Sequence, residues 1–206
     1  MKPSKNKPFV IGVTGGVGSG KSAVLAYAKK NYPVRILLAD EVGRELMEPG
    51  KCVYDALVLH YGSWILLPDG SLNRKKLSDL CFGDPKEQEL LNSIEHPLIR
   101  KEIVRRIRRT RKPVLLLEAA LLVEGGLTEL CDELIYVHVS EETRIRRLSA
   151  GRGYSEEKSR QIMSLQLSHE AFLSASTAVL DNSGPFEETA GRFDEIMKQW
   201  GIDKKA

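Results

Sequence analysis

Apolar residues in this chain gather into five short runs, and between most of them apolar and polar positions alternate at helical spacing. The runs cover residues 9–13, 34–40, 113–118, 133–139 and 177–180. They are rich in Val, Ile and Leu, and strands buried on both faces of a parallel sheet read as continuous hydrophobic runs of this kind. A short run at 65–67, followed by Pro68-Asp69-Gly70, predicts a further small strand and a turn. Helices are predicted at 23–30, 41–47, 52–61, 72–82, 155–169 and 186–200, with another from Ser140-Thr143 to about Gly151. Asp84-Pro85 opens a long helical stretch reaching about Thr110, where Pro97 must kink it or divide it. Strands alternating with helices predict an α/β fold: one doubly wound, parallel, five-stranded sheet.

Two helical segments fall outside that alternation. The expected organisation is a nucleotide-binding core of residues 1–49, 111–143 and 170–206, an acceptor-side helical insert at 50–110, and a lid at 144–169. An insert and a movable lid suit phosphoryl transfer, because water must be kept from the γ-phosphate.

The chemistry is most concentrated at Gly15-Gly16-Val17-Gly18-Ser19-Gly20-Lys21-Ser22, between the first strand and the first helix. Strand, glycine loop ending in Lys-Ser, then helix is the context of a phosphate-binding loop. Glycines let successive N–H groups turn inward around phosphate oxygens, and the helix start adds its unpaired N–H groups and dipole. Residues Gly16 to Ala23 are therefore expected to hold a nucleoside triphosphate, with Lys21 on the outer phosphates and the Ser22 hydroxyl on Mg²⁺. Two strands close on acids. Glu118 is placed to hold Mg²⁺ or its waters. Asp40 has two readings on spacing alone, a group facing the ligand crevice or a cap of the following helix.

Composition narrows the picture without redirecting it. With 206 residues, 42% hydrophobic and 29% charged, the chain has the size and make-up of one globular domain. A net charge of +3 is too mild to argue for nucleic acid. The eight basic residues between Arg100 and Lys112 share their stretch with Ile99, Ile103 and Ile107 on one helical face, which reads as a solvated basic face. No run approaches the ~18–20 apolar residues of a membrane span. Residues 1–8 lack the apolar core of a signal peptide, and three scattered cysteines suggest neither disulfides nor zinc. A cytoplasmic protein without membrane or nucleic-acid partner is expected, a monomer as first choice and an oligomer as the alternative.

Further segments carry a resemblance. The phosphate loop, Ala39-Asp40 with Arg44, Glu48-Pro49-Gly50, His96-Pro97-Leu98-Ile99, Leu121-Leu122-Val123-Glu124, Gln166 and Asp181-Asn182-Ser183-Gly184 together resemble the dephospho-CoA kinase family, over about residues 9–200. The resemblance implies ATP and Mg²⁺ as cofactors and transfer of phosphate to the ribose 3′-hydroxyl of dephospho-CoA. It implies Asp40 as the base, Arg44 as an acceptor contact and Asn182 beside the adenine. His96 resembles the family's acceptor-side histidine and reads equally as a cap at the helix break. The family pattern is departed from at Leu38, Ala120, Gly151-Arg152 and Ser176-Thr177. The third of these shifts the lid arginine by one position, leaving Arg152 as first choice and Arg147 as second. Another small acceptor, such as a nucleoside, and a nucleotide-binding switch without turnover are the competing readings.

Overall fold

All six residues of β1 (Phe9–Thr14) are buried, and β3 (Val114–Glu118) and β4 (Glu133–His138) are buried except at their ends. Side chains of both parities along a strand can be buried only when the sheet is covered on both faces. The computed structural model, which describes residues 7–82 and 84–205, joins these with β2 (Val34–Leu38) and β5 (Ala178–Asp181) in one sheet of order β2-β3-β1-β4-β5. The pairs β1/β3, β1/β4 and β4/β5 are parallel, with Val13 beside both Glu118 and Ile135. Residues 1–6, most of the polar N-terminal segment, lie outside the described residues.

The chain forms two compact units. One takes the residues up to Leu37 and from Ile107 onward; the other is Leu38–Arg106. In the first, α1 (Lys21–Asn31) buries Val24, Leu25 and Ala28, and α9 (Phe186–Gln199) buries Phe193, Ile196 and Met197. Phe193 meets Tyr27 and Tyr32 edge-on, a preferred aromatic geometry, and both tyrosine hydroxyls donate to Asp194. Three further helices, α6 (Glu141–Arg152), α7 (Glu156–Ser164) and α8 (His169–Ala175), are each capped by a serine. Ser140, Ser155 and Ser168 accept from the backbone N–H three residues on, satisfying one of the otherwise unpaired donors.

The second unit is helical: α2 (Ala39–Leu46), α3 (Cys52–Tyr61), α4 (Arg74–Cys81) and α5 (Pro85–Arg108). Its core is Val42, Leu46, Val53, Leu57, Ile65, Leu72, Leu77 and Ile103. The basic stretch at the end of α5 is partly neutralised, since Arg105 and Arg106 both donate to Glu102 and Arg106 also pairs with Glu45. Those two guanidiniums, Arg105 foremost, hold the Glu102 carboxyl down at about 2.

Two expectations are corrected, and one, the kink or division at Pro97, is narrowed. Residues 65–67 form no strand: a 3-10 turn covers Ser63–Ile65, and only an isolated bridge joins Leu66 to Leu72. Ile65 is apolar because it fills the core of the helical unit, so the run reports burial rather than pairing. Pro97 does not divide the long helix, which runs through it. A proline removes one backbone bond, while Ile103 and Ile107 on the apolar face are buried and hold the helix in place. The helix expected at 155–169 stops at Ser164, and a new one starts because Ser168 caps Ala171.

Glu95 on α5 leads to a pH prediction. Burial raises its pKa from 4.5 to about 7. The unfolded chain therefore ionises this carboxyl first, and stability is lost as pH rises from 4.5 to about 7. Glu95→Gln should raise the melting temperature at pH 8 and leave it nearly unchanged at pH 4, in calorimetry at both values. An equal shift at both would show that ionisation is not the cause.

Candidate active site

The loop between β1 and α1 wraps its own lysine. Lys21 Nζ donates to the Gly15 carbonyl at 2.7 Å and lies 3.7 Å from Glu118 Oε1, with both side chains largely shielded from water. Two short hydrogen bonds shape the loop's exit, from Ser19 N to the Gly16 carbonyl (3.1 Å) and from Ala23 N to the Gly20 carbonyl (3.0 Å). Gly20 has φ +89°, and a Cβ there would stand 2.3 Å from Asn182 Nδ2, so only glycine serves. The Ser19 hydroxyl is buried and has no hydrogen-bond partner among the described residues. Ser22 is the second residue of α1 and is exposed.

Beneath the loop lies a polar brace. Asn182 follows β5 and is 3% exposed. Its N–H donates to the His138 carbonyl (2.8 Å), its Nδ2 to the Ser19 carbonyl (2.7 Å), and its Oδ1 accepts from Thr189 Oγ1 (2.9 Å). All its polar groups are paired, as a buried amide requires. Arg147 on α6 donates to the Ser19 carbonyl at 3.4 Å and to the Asn182 carbonyl at 2.8 Å. One turn earlier, Arg144 donates to the Val17 carbonyl at 2.9 Å. Gln166, between α7 and α8, accepts from Val17 N at 3.0 Å. Arg152, the last residue of α6, is exposed.

The same face of this unit carries a cavity of about 420 Å³ lined by Tyr136, His138, Arg144, Arg160, His169 and Phe172, among others. Tyr136 OH lies 3.3 Å from His138 Nδ1 and 3.2 Å from His169 Nδ1. Burial, then the neighbouring His169 and Arg144, lowers the pKa of His138, although Asp181 opposes them. Burial likewise lowers that of Arg144.

In the helical unit, Asp40 is the second residue of α2 and is exposed. The expected strand ends two residues earlier, at Leu38, which is also the N-cap residue, and no side chain caps this helix. The cap role is therefore not the one Asp40 fills. Arg44 lies one turn on, its Nε donating to the Asp40 carbonyl at 3.3 Å, and it too is exposed. His96 is exposed within α5, beside Pro97, inside an uninterrupted helix rather than at a helix end.

The residues expected on the donor side thus converge: Gly16 to Ala23, Glu118, Asn182 and Arg147 share one loop and its supports. Arg152 is not among them. Arg144 carried no role in the sequence reading, though its spacing of three from Arg147 on one helix was a usable sign. Gln166 was part of the family pattern but without a function. The donor set fits a magnesium–triphosphate group: Lys21 sits against the loop beside Glu118, the Ser22 hydroxyl opens α1, and at Gly15, Gly16 and Gly20 a Cβ would collide with the loop's supports, so the chain there stays bare. No cluster of three metal-binding side chains occurs among the described residues, and phosphate-loop Mg²⁺ needs none because phosphates and water complete its shell.

A parallel sheet of this order, with its first strand opening into a lysine-bearing glycine loop, defines a P-loop nucleotide-binding protein of the kinase type. The comparisons with known proteins make this specific. The dephospho-CoA kinase family model matches residues 9–188. A dephospho-CoA kinase of Geobacter sulfurreducens is 37% identical over 190 residues, covering 91% of this chain and 96% of its own. One from Escherichia coli is 35% identical over 176 residues, with 85% of each chain covered. A Thermus thermophilus crystal structure superposes with a TM-score of 0.78 at 27% identity over 94% of this chain and 98% of its own. The chain belongs to the dephospho-CoA kinase family.

Proposed function

We propose that this protein transfers the γ-phosphoryl group of ATP to the ribose 3′-hydroxyl of dephospho-CoA, giving CoA and ADP. The observation that carries the donor half is Lys21, held by the Gly15 carbonyl beside Glu118. Family membership supports the acceptor. The loop from Gly16 to Ala23 and the Lys21 ammonium bind and orient the phosphates, with Asn182 and Arg147 bracing the loop beneath the nucleotide. Mg²⁺, when bound, neutralises charge on the β- and γ-phosphates; Ser22 and Glu118 would hold it or its waters. Asp40 accepts the proton of the 3′-hydroxyl, and Arg44 and His96 hold the acceptor. Residues 50–110 form the acceptor insert and 144–169 the lid, from which Arg152 reaches the transferring phosphate, with Arg147 as the alternative. The protein acts as a cytoplasmic monomer; no helix among the described residues is long and apolar enough to cross a membrane.

A panel of acceptors with ATP and Mg²⁺ tests this, scored by ADP release and by the mass of the product. Dephospho-CoA should turn over at least ~100-fold faster than nucleosides or nucleoside monophosphates, and the product should carry its new phosphate on the 3′-oxygen. Preferred turnover of a nucleoside would replace the acceptor while leaving the donor site intact.

A further inference from the structure

Val17, at the crest of the phosphate loop, has both backbone polar groups taken by side chains from distant helical segments. Arg144 Nε donates to its carbonyl at 2.9 Å, and its N–H donates to Gln166 Oε1 at 3.0 Å. The ring closes because Arg144 Nη2 donates to that same Gln166 oxygen at 2.6 Å. The guanidinium lies flat against the loop: a Cβ on Gly16 would stand 2.3 Å from Nη2. Arg144 is half-buried, and a cation is kept out of water only where hydrogen bonds compensate. Here they do, and bonds from a charged donor are about twice as strong as neutral ones. Two of the three bonds come from the guanidinium, and two of the three land on Val17, restraining a loop whose glycines would otherwise give it a wide choice of conformations.

We propose that Arg144 and Gln166 form a clamp that holds the crest of the phosphate loop in its triphosphate-accepting shape and couples the α6–α8 segment to it. They are positioning residues. The clamp uses the rigid fork of arginine, which presents Nε and Nη2 to two oxygens at once, and a lysine could not do this. A loop already held in the competent shape binds with its full affinity. A loop that populates that shape only part of the time binds more weakly by the same fraction. The inference rests on the reading of the loop as the ATP site and is independent of which acceptor is phosphorylated.

The test is a cycle of variants titrated with ATP in the absence of acceptor, with thermal melts to confirm folding. Gln166→Leu and Arg144→Ala should each weaken ATP binding about 10-fold, and the double variant should be no weaker than either single one, because all three lose the same ring. With acceptor present, the loss should fall on KM for ATP while kcat changes less than about threefold. Arg144→Lys should not restore affinity. In the free protein, the Val17 amide should lose protection from hydrogen exchange in Gln166→Leu and keep it in Gln166→Glu, which retains the accepting oxygen.

Additive losses in the double variant would overturn the clamp. So would an Arg144→Ala defect far larger than that of Gln166→Leu, since the arginine would then act on the phosphates directly. If Arg144→Ala does not fold, the Gln166 pair and the Val17 amide decide alone. An unchanged parent that binds no ATP would refute the donor site, and the Val17 exchange rates would still judge the clamp. A parent that binds ATP and ignores dephospho-CoA would refute only the acceptor, with the ATP titrations unaffected.

Discussion

Lys21→Ala should raise the dissociation constant of ATP at least ~10-fold and lower kcat by about three orders of magnitude. The two losses have separate origins. In the bound state the ammonium would face the outer phosphates, and a hydrogen bond to a charged group contributes about 1.5–3 kcal/mol. That sets the affinity loss. In the transition state charge spreads over the oxygens of the moving phosphoryl group, and a fixed cation there acts in a site shielded from water, where a single donor is worth about 10²–10³ in rate. The structure adds a reason to expect the loop itself to suffer. Lys21 Nζ also holds the Gly15 carbonyl at 2.7 Å and sits 3.7 Å from Glu118. Removing it leaves a shielded carboxylate without this cation. Isothermal titration and steady-state kinetics on the same preparation separate the effects. Lys21→Met, which keeps the length of the side chain, should be as poor as alanine. If either variant kept both affinity and rate within threefold of the parent, the loop would not be the ATP site.

The parts of the site that could be read from the sequence are those that depend on neighbours along the chain. The loop Gly15 to Ser22 is legible because its chemistry, donors turned inward between a strand and a helix, is written into eight consecutive residues. The strands are legible because burial on both faces leaves no polar positions in Val10–Val13 or Leu115–Leu117. What escaped is what long-range contact decides. Ile65 looks like a strand residue in sequence and is a core residue of the helical unit. Asn182 sits in Asp-Asn-Ser-Gly, a turn in sequence. Its amide nonetheless supports Ser19, 163 positions away. Arg144 and Gln166 meet Val17 across 127 and 149 positions; the spacing of Arg144 from Arg147 marks a shared helix face but does not say what that face meets. The helix restart at Ser168 had a local signal, a serine three residues before Ala171, of the same kind as the serine that opens the preceding helix at Ser155.

Asp40→Asn should lower kcat by about 10²–10³ while leaving ATP affinity within about twofold, the range expected when a positioned general base is lost. Phosphoryl transfer asks little covalent help from the protein, so the carboxylate's task is narrow: to take the hydroxyl proton as the oxygen attacks. Asparagine keeps the size and the hydrogen-bonding oxygen and removes the basicity. Binding of the acceptor should therefore survive, and the defect should appear in kcat. The competing explanation of an acid at this point is helix capping, and the structure bears on it directly. The N-cap of α2 is Leu38, no side chain caps the helix, and Asp40 is its exposed second residue. Its carboxylate can still favour the positive end of the helix dipole, an effect of about 0.3–1 kcal/mol, or a few degrees in melting temperature for a chain of this size. Activity and stability thus separate cleanly. A variant with slightly lower melting temperature and a rate down by two decades marks the base. A variant with the same small loss of stability and near-parental turnover would leave Asp40 as a dipole partner only, and the proton acceptor would have to be sought elsewhere.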